Sequence, residues 1–160
     1  MESEKLFELA KPYLEKNGFG VAHTKRVFDI ARKNFDVPVD LQELVFNSII
    51  LHDIGGSSIK EQYENGPKIA TSILKQLNFD EKFIKEVCDI ICTHHGRPEH
   101  PSQAFKILYD SDKLVMFSTE EFSHYDSKPN FNWNKNINLM YSKQAKDLAK
   151  EQLQQRMNKE

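Results

Sequence analysis

The sequence predicts an all-α fold, a single domain of about six or seven helices. Three observations predict it. Apolar residues recur at spacings of three and four along nearly the whole chain. No segment alternates apolar and polar residues over a useful strand length. Short breaks rich in Gly, Pro, Asn and Ser divide the periodic stretches, at Asn17-Gly18, Val37-Pro38, Gly55-Gly56-Ser57-Ser58 and residues 95–101.

Residues 3–16 place Leu6, Phe7, Leu9, Ala10, Tyr13 and Leu14 on one stripe, and Asn17-Gly18 ends that helix. Residues 20–35 carry Val21, Val27, Phe28, Ile30 and Ala31 on the next. Val37-Pro38 breaks it, and Asp40 is placed to cap a third helix running through Leu51. Asn65-Gly66-Pro67 reads as a helix start or a turn, followed by Ile69, Ala70, Ile73, Leu74 and Leu77. Asn78-Phe79-Asp80 connects to a long helix over 80–94, with Phe83, Ile84, Val87, Cys88, Ile91 and Cys92 on its apolar face. Gly96, Pro98 and Pro101 force 95–101 into a loop, and another helix covers 102–118. Residues 119–135, polar, aromatic and Asn-rich with Pro129, form an irregular excursion, either a lid or a packed surface loop. A last helix spans 136–157 and turns polar toward its end.

A chain of 160 residues with 39% hydrophobic residues and 11 Phe buries a sizeable core. The net charge of −2, with both signs interspersed, argues against a nucleic-acid polymer as partner. No apolar run approaches the ~18 residues that span a bilayer, and no basic stretch followed by an apolar one marks a signal peptide. Cys88 and Cys92, four apart on one helix, read as reduced core residues, which suggests a cytoplasmic setting.

The polar residues on apolar faces carry the chemistry. His52-Asp53 ends the run Ile49-Ile50-Leu51 just before Gly55-Gly56, and both side chains are good ligands for a divalent metal. His23 shares its face with Val27, Ile30 and Ala31, so it points inward, as His52 does behind Val45 and Ile49. A carboxylate beside such a stripe is costly unless paired or metal-bound. Asp110 and Asp112 lie two apart, about 200° around a helix. Asp112 shares its face with Phe105, Leu108 and Val115 and is the better inward ligand; Asp110 is the better supporting or helix N-terminal partner. His100 and His124 read as surface residues.

The order His23, His52-Asp53, Asp112 resembles the signature of the HD-domain superfamily of metal-dependent phosphohydrolases. His23-Thr24-Lys25-Arg26-Val27 followed by Ala31 is similar to the family's first-His helix, Leu51-His52-Asp53-Ile54-Gly55 to its central motif, and Ile107 through Leu114 to its final-Asp helix. The resemblance covers about residues 20–118, with 119–160 as a C-terminal loop and helix of the same single domain, 1–160. It implies a divalent metal ion held by His23, His52, Asp53 and Asp112, with the metal not specified among Mn, Mg, Co, Ni, Fe and Zn. His94-His95 matches the His-His pair that helps hold a second metal in many members, but Gln62 stands where a further His is expected. A one-metal site follows, with His94 or His95 handling substrate or proton.

The implied reaction is hydrolysis of a small phosphorylated compound, a nucleotide being the default, by metal-activated water, with Asp53 orienting that water and His94 beside it. Arg26, Lys60, Arg97 and Lys113 are the candidate phosphate contacts, Arg97 foremost because its loop adjoins two histidines. Two alternatives stand beside this reading: an HD-type di-iron oxygenase, and a non-catalytic sensing or scaffold module.

Overall fold

The computed structural model describes residues 2–17 and 20–158. Among these the chain is all-α, with nine α-helices and one short 3-10 turn. The helices are α1 Glu2–Leu14, α2 Gly20–Asn34, α3 Val39–Leu51, α4 Ile59–Gln76, α5 Glu81–Ile91, α6 Gln103–Leu114, α7 Phe122–Asp126, α8 Trp133–Leu139 and α9 Lys143–Met157, with the 3-10 turn at Val115–Phe117. Gly18, expected to end the first helix, lies outside the described residues. The chain forms two compact units that divide between Leu108 and Tyr109.

In the first unit α3 is the central helix. Its C-terminal half is apolar nearly all round, and from Leu44 to Leu51 only Phe46 retains substantial exposure. A helix of that composition must be enclosed, and α1, α2 and α5 pack against it while α4 packs on α5. Leu6, Leu14, Ile49, Leu51, Leu74 and Ile91 are sealed from solvent. Each such side chain contributes about 1.5–3 kcal/mol relative to an exposed position. The sequence places Asp40 as the cap of α3, but the helix starts at Val39 directly after Pro38, whose missing N–H is harmless there. Asp40 sits in the first turn, where a carboxylate favours the helix dipole.

The fourth helix begins earlier than Asn65-Gly66-Pro67. Ser58 Oγ accepts the Glu61 N–H at 3.1 Å and Glu61 Oε1 accepts the Ser58 N–H at 3.3 Å, a complete capping box. Pro67 lies inside the helix. Asp80 caps α5 by accepting the Phe83 N–H at 2.8 Å. That helix stops at Ile91 rather than 94, and 92–95 form a turn. The expected burial of both cysteines is corrected too. Cys88 is half-buried, with its Sγ 3.6 Å from the Pro67 carbonyl, whereas Cys92 at the end of the helix is exposed.

The second unit is organised by Asp110 and by an aromatic cluster. The expected helix 136–157 is two helices. Met140 is extended, and Asp110 accepts the backbone N–H groups of Tyr141 at 2.7 Å and Ser142 at 3.0 Å. Ser142 then caps α9 by accepting the Ala145 N–H. Burial pushes the Asp110 carboxyl above its ordinary pKa, against the opposing effect of these two bonds. Residues 119–135 are not wholly irregular: α7 lies within them and α8 begins at Trp133. Trp133 stacks on Phe122 at 4.5 Å, meets Phe117 and Phe131, and donates its indole N–H to Asp126 at 2.9 Å.

Gly55 fixes the approach of the 52–56 turn to α4. A Cβ there would lie 2.5 Å from the Glu61 carbonyl oxygen, 2.5 Å from the Gly66 nitrogen and 2.8 Å from the Gln62 Cα. All three are backbone atoms that cannot step aside. Gly55→Ala is therefore expected to destabilise the fold by about 1–3 kcal/mol, read as a lower urea midpoint with an unchanged slope.

Candidate metal centre

Two helices end in the same way. The sequence Ile49-Ile50-Leu51-His52 closes α3 and Ile91-Cys92-Thr93-His94 closes α5. In each, the histidine Nδ1 lies on the carbonyl oxygen of the isoleucine three residues back, at 2.5 Å for His52 and 2.7 Å for His94. A carbonyl only accepts, so Nδ1 carries the proton and Nε2 of the neutral ring is the lone-pair nitrogen. Each bond also satisfies one of the carbonyls that a helix C-terminus leaves open.

Those Nε2 atoms converge on Asp53. His52 Nε2 is 3.2 Å and His23 Nε2 is 3.2 Å from Asp53 Oδ2; His94 Nε2 is 3.3 Å from Oδ1. All three rings are buried. The His52 and His94 rings meet edge-on at 5.3 Å, and the His23 and His52 rings lie 5.6 Å apart. Burial disfavours charge on Asp53. With positive charge between rings and carboxylate, the attraction of His52 and the close contacts of His23, His52 and His94 outweigh it, holding the carboxyl well below the usual carboxylate range.

Positive charge is needed between these groups. A lone-pair nitrogen facing a carboxylate at this distance is repulsive unless a proton or a metal ion lies between them. Protons on all three rings would set three cations around one anion. One divalent ion held by His23, His52 and Asp53 Oδ2 removes that repulsion and leaves His94 facing Oδ1. Contacts of 3.2–3.3 Å are the ligand–ligand edges expected around a metal with bonds of about 2.0–2.2 Å. His94 Nε2 supports this fit: it is fully buried and makes no hydrogen bond of normal geometry. Asp53, His94 and His95 bring ligand atoms within 4.8 Å of one another. The donor set of imidazoles and one carboxylate suits a divalent ion of the first transition row or zinc.

The model of the HD domain family matches residues 20–117. The chain belongs to this family. A solved structure of a predicted HD superfamily hydrolase from an uncultured Thermotogales bacterium is similar in fold, with a TM-score of 0.69 and 18% identity, covering 97% of this chain and 87% of that one. No curated protein matches this chain. The family match carries the expected recognition and all-α class, and its limits fall close to the motif-bearing stretch read from sequence.

Within the HD domain the other sequence candidates fall in different places. Arg26 is half-buried on α2, one turn after His23. Lys60 is exposed in the first turn of α4, and Arg97 is exposed in the loop after His95. Asp112 is half-buried on α6 in the second unit. Lys113, in the same unit, donates to Asn136 Oδ1 at 3.0 Å and lies over the Tyr109 ring. His100 and His124 are exposed. No helix among the described residues is long and apolar enough to cross a membrane.

The sequence reading missed Tyr63 and gave Gln62 no positive role. Gln62 Nε2 donates to the Gly56 carbonyl at 3.0 Å, and its Oε1 lies on His95 Nε2. Tyr63 Oη accepts the His95 backbone N–H at 3.1 Å. The signal was Ser58-Ile59-Lys60-Glu61, a capping box that puts both residues on a helix one turn further in.

The convergence predicts coupling of metal to stability. Added Mn²⁺ is expected to raise the melting temperature of the wild type, by about 2.7 kcal/mol of stabilisation at a hundredfold excess over Kd. Asp53→Ala is expected to lose that shift. Equal shifts in both proteins in a thermal-unfolding titration would remove Asp53 from the metal set.

Proposed function

We propose that this HD-domain protein is a metal-dependent phosphohydrolase that cleaves a small phosphorylated compound, a nucleotide being the default substrate. The observation that carries the reading is the convergence of three buried imidazole Nε2 atoms on one ionised carboxylate. His23, His52 and Asp53 hold the ion, and Asp112 joins them on the strength of the motif order in the sequence. A divalent ion held there supplies Lewis-acid polarisation of a phosphoryl oxygen and acidifies water.

The chain's own groups do the rest. Asp53 stays ionised, so an oxygen of its carboxylate is available to accept a hydrogen bond and orient the attacking water. His94 stands beside Oδ1 with its ring tautomer fixed by the Ile91 carbonyl and handles substrate or proton there. As water forms its bond to phosphorus, the bond from phosphorus to the leaving oxygen breaks. Charge on the equatorial oxygens calls for cations, for which Arg97, Lys60, Arg26 and Lys113 are the proposed sources, Arg97 first. The net charge of −2 supports a small substrate over a nucleic-acid polymer. Gln62, by engaging His95, weighs against the pair of irons a di-iron oxygenase requires.

The test is phosphate release from a panel of nucleotides and phosphomonoesters with Mn²⁺, Mg²⁺, Co²⁺ or Ni²⁺. Turnover of at least one member is expected, and His52→Ala is expected to lower it by about a hundredfold or more, since the metal's Lewis acidity is worth several kcal/mol. No release from any member with any of these metals would remove the phosphohydrolase reading.

A further inference from the structure

One face of α3 is not used by the metal centre and opens onto a cleft. Glu43, Phe46, Asn47 and Ile50 recur at spacings of three and four, so they share that face. His52 lies about 200° around the helix from Ile50. Phe46 and Asn47 line a cleft of about 570 Å³ with Phe28, Phe35 and Val37, a volume typical of small-molecule sites. The three phenylalanines are half-buried, and the Phe28 and Phe46 rings meet at 4.8 Å, tilted by 46°. Such a wall offers ring faces and edges to a flat aromatic guest. Asn47 is the anomaly on it. Only 4% of the residue is exposed, yet its side-chain amide has no hydrogen-bond partner among the described residues. The amide is not sealed from solvent, as Thr24 Oγ1 and Ser48 Oγ are, so it is reached from the cleft that it lines. A buried amide without a partner is unfavourable, and a leucine would fill the position more stably. Charge narrows the guest further. Asp36 and Glu43 stand on this cleft against Arg32, whose guanidinium lies 3.4 Å from Asp29. Glu4, Glu8 and Asp29 stand with Lys25 on the adjoining cleft, which shares Phe28. The rim is net acidic and disfavours an anion.

We propose that this cleft is a second ligand site, for an uncharged planar heteroaromatic ring that carries a hydrogen-bond donor beside an acceptor on one edge, as an adenine-type base does. The Asn47 amide offers an N–H donor and a carbonyl acceptor side by side, and two parallel bonds to such an edge satisfy both. Phe28, Phe35 and Phe46 pack against the ring. The acidic rim disfavours a phosphorylated form of the same base, which separates this site from the metal centre in chemistry. The inference stands on α2 and α3 and does not depend on the phosphohydrolase reading.

The experiment is calorimetric titration of the full chain with 9-methyladenine, first in EDTA and then with saturating Mn²⁺. Saturable one-to-one binding is expected, with the same affinity in both conditions. 9-Methylpurine, which lacks the donor, is expected to bind more weakly by about tenfold or more. AMP, which adds a phosphate, is expected to displace 9-methyladenine only at about tenfold higher concentration or more. Asn47→Leu is expected to weaken 9-methyladenine binding by about tenfold or more. The same variant without ligand is expected to melt at or above the wild-type temperature, because it removes an unpaired buried amide. No binding of 9-methyladenine, undiminished binding by Asn47→Leu, equal affinity for 9-methylpurine, displacement by AMP at equal or lower concentration, or loss of binding on adding Mn²⁺ would overturn the proposal. A lower melting temperature in Asn47→Leu would show an amide already satisfied within the fold, and would overturn it too.

Discussion

The first unit is arranged around one unfavourable object, a half-buried carboxylate ringed by buried imidazoles. Asp53 sits within hydrogen-bonding distance of three imidazoles, and no apolar packing nearby could offset its charge alone. The surrounding structure is the means of keeping that charge. Two helices end there, and the negative end of a helix dipole favours cations. The same helix ends supply carbonyls that turn His52 and His94 so that Nε2 faces the carboxylate. Backbone geometry, tautomer and electrostatics therefore converge on one requirement, a positive charge in the space that Asp53 faces.

That arrangement needs the 52–56 turn pressed against α4, and Gly55 is what permits it. Gly56, with φ of +149°, carries the chain out of the turn in a conformation that side-chain-bearing residues rarely adopt. Its carbonyl then becomes the anchor for Gln62. The glycine pair thus does more than stop α3. It links the turn bearing Asp53 to the helix bearing Gln62 and Tyr63, and through them to the turn bearing His95. A change at either glycine reaches the imidazoles through backbone, with no need to touch a ligand.

Much of this was legible in the sequence because burial and ligation leave local marks. The inward faces of His23 and His52 followed from Val27, Ala31, Val45 and Ile49, and α3 ended where Gly55-Gly56 required. Helix boundaries were less legible. Pro67 looked like a start because proline disfavours helix interiors, yet the Ser58–Glu61 capping box upstream outweighed it. The break at Met140–Ser142 depended on Asp110, some thirty residues away in sequence, taking two backbone donors. No local pattern announces a partner at that separation. Gln62 and Tyr63 were hidden for the same reason: their significance lies in hydrogen bonds to Gly56 and His95, not in periodicity.

The difference between His94 and His95 follows from what holds each ring. A backbone carbonyl holds His94 at Nδ1, so its lone pair is Nε2 and lies in the buried shell of Asp53. A side-chain amide holds His95 at Nε2, so its lone pair is Nδ1 on an exposed ring. Two identical side chains in succession thereby acquire opposite tautomers, and the selection is made by a helix-end carbonyl in one case and by Gln62 in the other. A histidine at position 62 would lack the fixed acceptor that an amide oriented by Gly56 provides. The departure from the expected pattern at Gln62 therefore puts a side-chain amide against His95, anchored at the Gly56 carbonyl.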